Sequence, residues 1–427
     1  MSQPLLYLTN ITIILIIGIG LTIIAKKLKI SNLLLLVLAG VALNKLGTTS
    51  YHIEFNPVFL TSISILALVM IVFESCSMFK LKELDEFSIM AIKTTLVWLV
   101  LNLILLTGAF ILVFKEPSIL MALMFAALMS GTAPSSMLSM FKGTENRIAK
   151  FLEVEAIVNT PLIVIIPFII LGFIGKFSPG DILPGLVGQI GPFLQQFVAG
   201  IGAGILVGIV AFKIMSGKFP ENLSPLSIMT ASIFTYILAE NLGGNGVLAV
   251  TTLGLFFGNL FKKDKEHLIE YSSMFANILI ILVFILIGLS VDMPLNLEFL
   301  GKSLILFLVY LVIRFIAIMI TFRNVNYKLK EKIFLSLNAQ KGIALATVAF
   351  SMTTFMLVTT KIVDGAAQTA ETPFISIPGA TVLLSLIIAF IVYSLIFSTI
   401  VQKVSKYFIG EIVVPEDEAD IKSVKKK

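Results

Sequence analysis

Residues 128–136 read LMSGTAPSS and interrupt the apolar segment Ile119–Phe141 near its middle. Proline removes a backbone hydrogen-bond donor and clashes with the preceding turn of a helix, and glycine weakens that turn further. We therefore predict that Gly131 and Pro134 break this helix. Freed backbone groups inside a bilayer need other partners or a wet cavity, so the break is typical of a functional site.

A second apolar segment, Ile333–Leu357, carries a similar interruption, LNAQKGI at positions 337–343. Paired interruptions in two corresponding segments are a sequence indication of a transport site near the middle of the membrane. The two segments are seven apart along the chain, and an odd offset reverses the direction of crossing, as an inverted repeat requires. The alternative is an ordinary proline kink in one segment and an unrelated glycine, Gly342, in the other.

The composition is that of a polytopic membrane protein. The chain has 427 residues, of which 58% are hydrophobic and only 13% charged, too little charged surface for a soluble domain of this length. We count thirteen apolar segments, several of which fall short of the ~20 residues that span a bilayer. The three least certain are Asn32–Leu43, Ser227–Leu242 and Gly246–Phe261. The sequence predicts an all-α membrane protein of about thirteen transmembrane helices, with inverted repeats and two interrupted helices that cross near the midplane.

Several classes of function are disfavoured. The single cysteine, Cys76, cannot form an internal disulfide or a thiolate metal cluster, and the histidines, His52 and His267, lie far apart in polar loops. We expect no metal site and no cofactor. An enzyme is also disfavoured, because no nucleophile–base set falls at membrane depth. The basic residues lie in short loops, which does not indicate nucleic-acid binding.

The distribution of basic residues predicts the orientation. Most of the 31 lysines and arginines fall in the loops that follow odd-numbered segments or in the C-terminal tail. We expect the protein to lie in the plasma membrane. Because cytoplasmic loops are enriched in lysine and arginine, the N-terminus is predicted outside the cell and the C-terminus in the cytoplasm. We expect the charged tail, 411–427, to be solvated.

The segment Ile148–Ile174 adds a polar motif, EAIVNTP at positions 155–161. Residues four apart share a helix face, so Glu155 and Asn159 are predicted to line one stripe, with Thr160 on the next. Pro161 is predicted as a further helix break, which would free one more backbone carbonyl beside this cluster. An acid at membrane depth is rare and usually marks an ion or substrate path.

With these motifs the chain resembles the cation:proton antiporter superfamily, particularly prokaryotic sodium/proton antiporters with thirteen helices. The resemblance runs from about Leu5 to Val401 and depends on the order of several short motifs. These are FES at 73–75, GTAP at 131–134, EAIVNTP at 155–161, Arg314, and QKG at 340–342.

The resemblance implies exchange of a monovalent cation, Na⁺ or K⁺, against protons across a lipid bilayer. It implies a homodimer, in which 1–86 and 193–293 form the dimerisation part. Residues 87–174 and 302–401 would form the transport core, which moves in an elevator-like alternation.

The departures from the family pattern concern its ion-binding residues. The family usually has Thr-Asp-Pro where this chain has Thr132, Ala133 and Pro134, and Asn-Asp-Pro where it has Asn159, Thr160 and Pro161. In the family the second aspartate binds either the cation or the proton. Alanine supplies no ligand, and the threonine hydroxyl does not titrate near neutral pH.

The basic residue of the second break also differs, because Lys341 occupies a position where the family commonly has arginine. The resemblance implies that Lys341 and Glu155 form an ion pair, which is either structural or a proton-coupling pair. Arg314 either satisfies the carbonyls of a broken helix or guards the site, and Glu74 is either an ion-path acid or a solvated one. Thr132, Asn159 and Thr160 are candidate neutral ligands.

Two functional hypotheses follow. The first is an antiporter of a monovalent cation and protons in which other residues have replaced the aspartates in coupling. The second is a transporter-like protein that has lost coupling and acts as a uniporter, carries another solute or serves as a sensor.

Overall fold

The regular structure is helical throughout the part of the chain that the structure, a computed structural model, describes. The described residues are 3–28, 32–46, 55–77, 86–115, 118–133, 146–173, 182–215, 224–260, 265–290, 294, 296–342, 345, 348–349 and 380–409. The helices are α1 (Gln3–Leu28), α2 (Asn32–Leu46), α3 (Pro57–Ser77), α4 (Glu86–Leu101), α5 (Thr107–Phe114), α6 (Ile119–Leu128), α7 (Arg147–Phe173), α8 (Ile182–Met215), α9 (Ser224–Asn241), α10 (Gly246–Leu260), α11 (Lys265–Ser290), α12 (Leu297–Thr321), α13 (Leu329–Leu337) and α14 (Ala380–Ile409).

These helices confirm the predicted fold class. Helix α4 continues into α5 through a π-helical turn, Asn102–Leu106, so the two form one of the predicted segments. Helices α6 and α13 are the first halves of the two interrupted segments. The three short segments are helical as well, as α2, α9 and α10. Pro134 and the tail 411–427 lie outside the described residues.

Among the described residues, six helical stretches are long and apolar enough to cross a membrane. They are Pro4–Leu28, Val58–Ser77, Ile89–Phe114, Leu194–Met215, Leu297–Thr321 and Val382–Ser405. Several shorter apolar helices lie between them in sequence, which is the arrangement of a multi-pass membrane protein.

The helices pack in two groups. Helices α1–α3 and α8–α11 contact mainly one another, as do α4–α7 and α12–α14. Small residues allow close packing within the first group: a Cβ atom added to Gly40 of α2 would lie 2.8 Å from the Cα atom of Gly288 of α11. Such contacts are typical of membrane helices, whose backbones approach closely where side chains are small.

An ion pair joins the ends of two helices of the second group. Arg147, the first residue of α7, donates from Nη2 to both carboxylate oxygens of Glu331 on α13, at 2.8 Å each. Glu331 also accepts a hydrogen bond from the backbone N–H of Lys328. Partial burial raises the pKa of Glu331, but these hydrogen bonds and the positive charges of Arg147 and Lys328 together lower it by more, so that its pKa lies below the ordinary 4.5.

We expect Glu331→Gln to lower the unfolding midpoint in detergent at neutral pH, by about 1 kcal/mol in free energy, because a partly exposed pair is only moderately stabilising. A lowered pKa in the folded state stabilises the fold above the unfolded pKa, and this stabilisation is lost as the pH falls through the folded pKa. The difference between variant and wild type should therefore vanish in acid. A difference that does not shrink as the pH is lowered below 4.5 would contradict this assignment.

Candidate functional site

The two interruptions lie against each other. Helix α6 ends at Leu128 and α13 at Leu337, and the backbone is non-helical over 129–133 and 338–342. The backbone N–H of Ala133 donates to the carbonyl of Gln340 at 2.8 Å. Proline disfavours a helical backbone at the residue before it, in agreement with the non-helical backbone at Ala133. The predicted crossing of two unwound stretches is confirmed.

Gly342 makes this crossing possible. A Cβ atom added to Gly342 would lie 2.2 Å from the Cβ atom of Ala133, closer than two carbon atoms can approach. The absence of a side chain at position 342 therefore sets the distance between the two unwound stretches.

We expect Gly342→Ala to lower the unfolding midpoint, by about 1–3 kcal/mol in free energy, because an extra methyl group in a packed crossing forces the backbones apart. Ala133→Gly in the same chain should restore most of the loss, since it removes the opposing methyl group. Gly20→Ala is the matched control, because a Cβ atom there meets nothing within 4 Å. Equal effects at positions 20 and 342 would rule out the steric explanation.

Lys341 joins the second unwound stretch to the first. Its Nζ donates to the carbonyl of Met129 at 2.5 Å and to that of Gly131 at 2.9 Å. The same Nζ lies 4.3 Å from the centre of the Tyr310 ring, in a cation–π contact. An ammonium group has three N–H donors, and these contacts use them on neutral partners. The positive charge also lies at the C-terminal end of α6, where the helix dipole favours a cation.

Side chains of two further helices hold the second stretch in place. The backbone N–H of Lys341 donates to Ser394 Oγ at 3.1 Å, and Ser398 Oγ donates to Gln340 Oε1 at 3.1 Å, both from α14. From α12, the Tyr310 hydroxyl donates to the carbonyl of Ala339 at 3.2 Å. The hydrogen bonds to the N–H of Lys341 and to the carbonyl of Ala339 satisfy backbone groups that the break has freed, as burial in a membrane requires.

Glu155 pairs with Arg314. The distance from Arg314 Nη2 to Glu155 Oε2 is 2.7 Å and from Nη1 to Oε1 is 2.6 Å, and both side chains are 0% exposed. A paired arrangement of this kind gives geometric specificity to an arginine–carboxylate contact. The pair joins α7 to α12.

The predicted ion pair between Glu155 and Lys341 is therefore wrong, and the two cations have exchanged their expected roles. Arg314, expected to satisfy carbonyls or guard the site, neutralises the acid. Lys341, expected to neutralise the acid, satisfies the carbonyls of the broken helix. The planar guanidinium suits a carboxylate with two oxygens, whereas the ammonium suits two converging carbonyls.

Two aromatic rings in contact with each other connect the two cationic groups. The Trp98 ring on α4 lies 5.2 Å from Arg314 Cζ, and the centres of the Trp98 and Tyr310 rings are 5.2 Å apart. Tyr310 in turn contacts Lys341. The ion pair and the lysine therefore belong to one buried assembly, contributed by α4, α6, α7, α12 and the two breaks.

Asn159 adds a neutral group beside the first break. Its Nδ2 donates to Thr132 Oγ1 at 2.9 Å, and both side chains are buried. Its Oδ1 has no hydrogen-bond partner in the described part of the chain. A buried amide oxygen without a partner is unusual and is a candidate ligand.

The remaining predicted residues stand as follows. Helix α7 runs through Pro161 to Phe173, so the prediction that Pro161 breaks the helix is wrong. The side chains of Thr160 and Pro161 lie outside the described part. Gly131 lies in the first break, where a Cβ atom would contact Ile163 of α7. Glu74 is half-buried near the end of α3, and its place on an ion path stays a prediction.

Sequence reasoning missed several residues of this assembly. Tyr310 and Trp98 were not singled out, although Tyr310 precedes Arg314 by four residues and so shares its helix face. Asn102 and Ser130 were also missed: Asn102 Nδ2 donates to Ser130 Oγ at 3.4 Å. An amide inside the apolar run of α4 was the available signal.

The charges of the site are few. Glu155 and Arg314 neutralise each other, which leaves Lys341 as the uncompensated charge among the site residues described here. The other polar atoms are neutral oxygens and amides. Within the described ranges no group of three His, Cys, Asp or Glu side chains could hold a metal ion. The site can thus offer neutral oxygens to a small cation and can gain or lose one proton at a lysine.

The chain is similar to known cation antiporters. A probable Na⁺/H⁺ antiporter 2 of Methanocaldococcus jannaschii is 27% identical over 353 residues, 76% of this chain and 79% of that protein. The K⁺/H⁺ antiporter NhaP2 of a Shewanella species is 24% identical over 40% of this chain and 30% of its own length. The solved sodium proton antiporter MjNhaP1 of M. jannaschii at pH 8 superposes with a TM-score of 0.73 at 19% identity, covering 96% of this chain and 99% of that one.

The model of the transmembrane sodium/hydrogen exchanger family matches residues 11–405, nearly the whole chain. That match includes both breaks, the buried ion pair and Lys341. The chain therefore belongs to the sodium/hydrogen exchanger family.

Proposed function

We propose that this protein exchanges a monovalent cation for a proton across the plasma membrane, and that Lys341 carries the proton. Antiport is what the names of the relatives describe, some for Na⁺ and some for K⁺. The carboxylate that the family resemblance implies cannot bind the cation or the proton here, because positions 133 and 160 carry alanine and threonine. Another group must therefore couple the two ions.

The observation that carries the proposal is the environment of Lys341. Its ammonium group occupies the carbonyl oxygens of Met129 and Gly131, which are the kind of ligand that a dehydrated alkali cation needs. Two further oxygens belong to neighbouring side chains. Thr132 follows Gly131 in sequence, and its hydroxyl accepts a hydrogen bond from Asn159, whose own Oδ1 has no partner among the described residues. An ammonium group and a metal cation would compete for the same oxygens.

Charge explains why this competition moves a proton. If a cation entered while Lys341 stayed protonated, two positive charges would share a site whose only described acid, Glu155, is already paired with Arg314. That arrangement is costly at membrane depth. The cost disappears if an N–H bond of Lys341 breaks and its proton passes to water, which leaves a neutral amine. One cation in and one proton out keep the charge of the site constant.

The test is cation-dependent proton movement in proteoliposomes with an imposed pH gradient, measured separately with Na⁺, Li⁺ and K⁺. We expect at least one of these cations to dissipate the gradient, with protein-free liposomes as the control. Because the proposed exchange is one for one, clamping the membrane potential should leave the rate unchanged. No proton movement with any of the three cations would contradict the proposal.

A second candidate function is that of a transporter-like protein without proton coupling, such as a uniporter, a carrier of another solute or a sensor. It is favoured by the pairing of Glu155 with Arg314, since that acid is engaged and the aspartates are absent. Uptake of a radiolabelled cation with no accompanying proton movement would support a uniporter and exclude the exchange mechanism.

The proposed assembly is a homodimer in which 1–86 and 193–293 form the dimerisation part. The transport core, 87–174 and 302–401, would carry the site and move against it. The separate packing of these two groups of helices supports this division. The concentration of basic residues in alternate loops supports an outside N-terminus and a cytoplasmic C-terminus.

A further inference from the structure

Asn102 is buried in the π-helical turn between α4 and α5. The turn comprises Asn102–Leu106, and Asn102 is 0% exposed. Single π-helical turns inside α-helices are rare, and those that exist are frequently at functional sites. Nothing in the exchange mechanism above uses this residue.

The orientation of the Asn102 amide is fixed by its neighbour. Ser130 Oγ donates its own proton to the carbonyl of Ala126 at 2.9 Å. It can therefore only accept from Asn102, whose Nδ2 lies 3.4 Å away. The amide oxygen must then point away from Ser130, and this Oδ1 has no hydrogen-bond partner among the described residues. A buried polar atom of this kind calls for a ligand or an ordered water.

Asn102 and Asn159 contact the first break in the same way. Asn159 donates to the hydroxyl of Thr132, Asn102 donates to that of Ser130, and each keeps an unpartnered buried Oδ1. Ser130 and Thr132 are two residues apart in the stretch whose carbonyls hold Lys341. The π-helical turn that follows α4 and helix α7 thus each place a side-chain amide against that stretch.

We propose that Asn102 is a specificity-determining ligand of the transported cation, acting together with Asn159. The inference rests on the proposed exchange and adds a ligand from α4 to it. A neutral amide oxygen attracts a cation less strongly than a carboxylate does. A site built from such oxygens selects by the number and field strength of its dipoles, as neutral carbonyl sites do.

The experiment compares Asn102→Ala and Asn102→Asp with Asn241→Ala as the matched control. Asn241 is also an intrahelical amide, and its Nδ2 donates to Ile237 within α9, in the other group of helices. Two quantities are measured for each protein: the apparent KM and maximal rate of cation-dependent proton movement, and the rise of the unfolding midpoint in detergent when NaCl or KCl replaces N-methylglucamine chloride.

We expect Asn102→Ala to raise the apparent KM about tenfold, equivalent to one lost ligand contact of moderate strength, with the maximal rate and the cation-free midpoint unchanged. Asn102→Asp should lower the KM and shift preference towards the smaller cation, because attraction to a charged ligand grows as the ion approaches more closely. Asn241→Ala should match the wild type in both measurements.

The two readouts separate this inference from the proposed function. If the wild type shows a cation-dependent midpoint that Asn102→Ala loses, yet no proton movement, the exchange fails and the ligand assignment stands. If wild-type exchange is present and neither Asn102 variant changes its KM or its cation preference, the assignment is overturned. It is also overturned if Asn102→Ala lowers the cation-free midpoint while its KM stays at the wild-type value, or if the wild type responds to no cation in either measurement.

Discussion

Glu155→Gln and Arg314→Gln are each expected to lower the stability of the folded protein by about 3–5 kcal/mol, the cost of leaving one partner of a buried ion pair uncompensated. Both side chains are 0% exposed and meet at 2.6 and 2.7 Å. Arg314 Nε already lacks a hydrogen-bond partner among the described residues. Loss of the Glu155 charge would therefore leave the buried guanidinium of Arg314 without an ion-pair partner.

The measurement is the unfolding midpoint in detergent, followed by tryptophan fluorescence. The chain has one tryptophan, Trp98, and its ring lies 5.2 Å from Arg314 Cζ, so the signal reports on the site itself. The exposed pair between Lys302 and Glu298, on the same helix as Arg314, is the matched control. Lys302→Gln should leave the midpoint nearly unchanged, because exposed ion pairs contribute little.

A double substitution distinguishes a pair that stabilises the structure from one that couples ions. Glu155→Leu together with Arg314→Met removes both charges, and such replacements are often neutral in stability. We expect this variant to recover most of the midpoint. If the single variants are as stable as the wild type, the buried pair does not have the energetic role assigned to it.

The fold was largely predictable because its signals are local. Apolar segments, proline and glycine at the breaks and the distribution of lysines each act over a few residues, so the sequence alone indicated interrupted helices around Gly131 and Gly342. Pro161 is the exception among these local signals. A proline frees one carbonyl without necessarily ending a helix, and α7 continues through it.

The pairing in the site was not predictable in the same way. The sequence indicates which charges are buried, but the choice of partner depends on the angles at which α7, α12 and the second break approach one another. Lys341 follows a non-helical backbone, for which no periodicity gives a direction. The π-helical turn at Asn102 is only five residues long and leaves no periodic pattern in the sequence, so the polarity of Asn102 within an apolar run is its one sequence signal.

Lys341→Arg is expected to lower the rate of cation-dependent proton movement about 100-fold or more, because the guanidinium stays protonated at any physiological pH. Its charge would remain, so the carbonyls of Met129 and Gly131 would keep a cationic partner and the fold should persist. Lys341→Met instead removes the charge and leaves those oxygens free. It should permit cation movement that is not coupled to protons, detectable as labelled uptake without a pH change.

The arginine variant is the sharper test of the two, because the family resemblance implies an arginine at this position. In the arrangement that the resemblance implies, an aspartate binds and releases the proton and the arginine need not. Lys341→Arg should therefore be inactive alone and regain coupled exchange when Thr160→Asp is added, with Lys302→Arg as the neutral control for the same exchange of cations. If Lys341→Arg exchanges at the wild-type rate without the aspartate, the proton is carried elsewhere, and Glu74 becomes the acid to test.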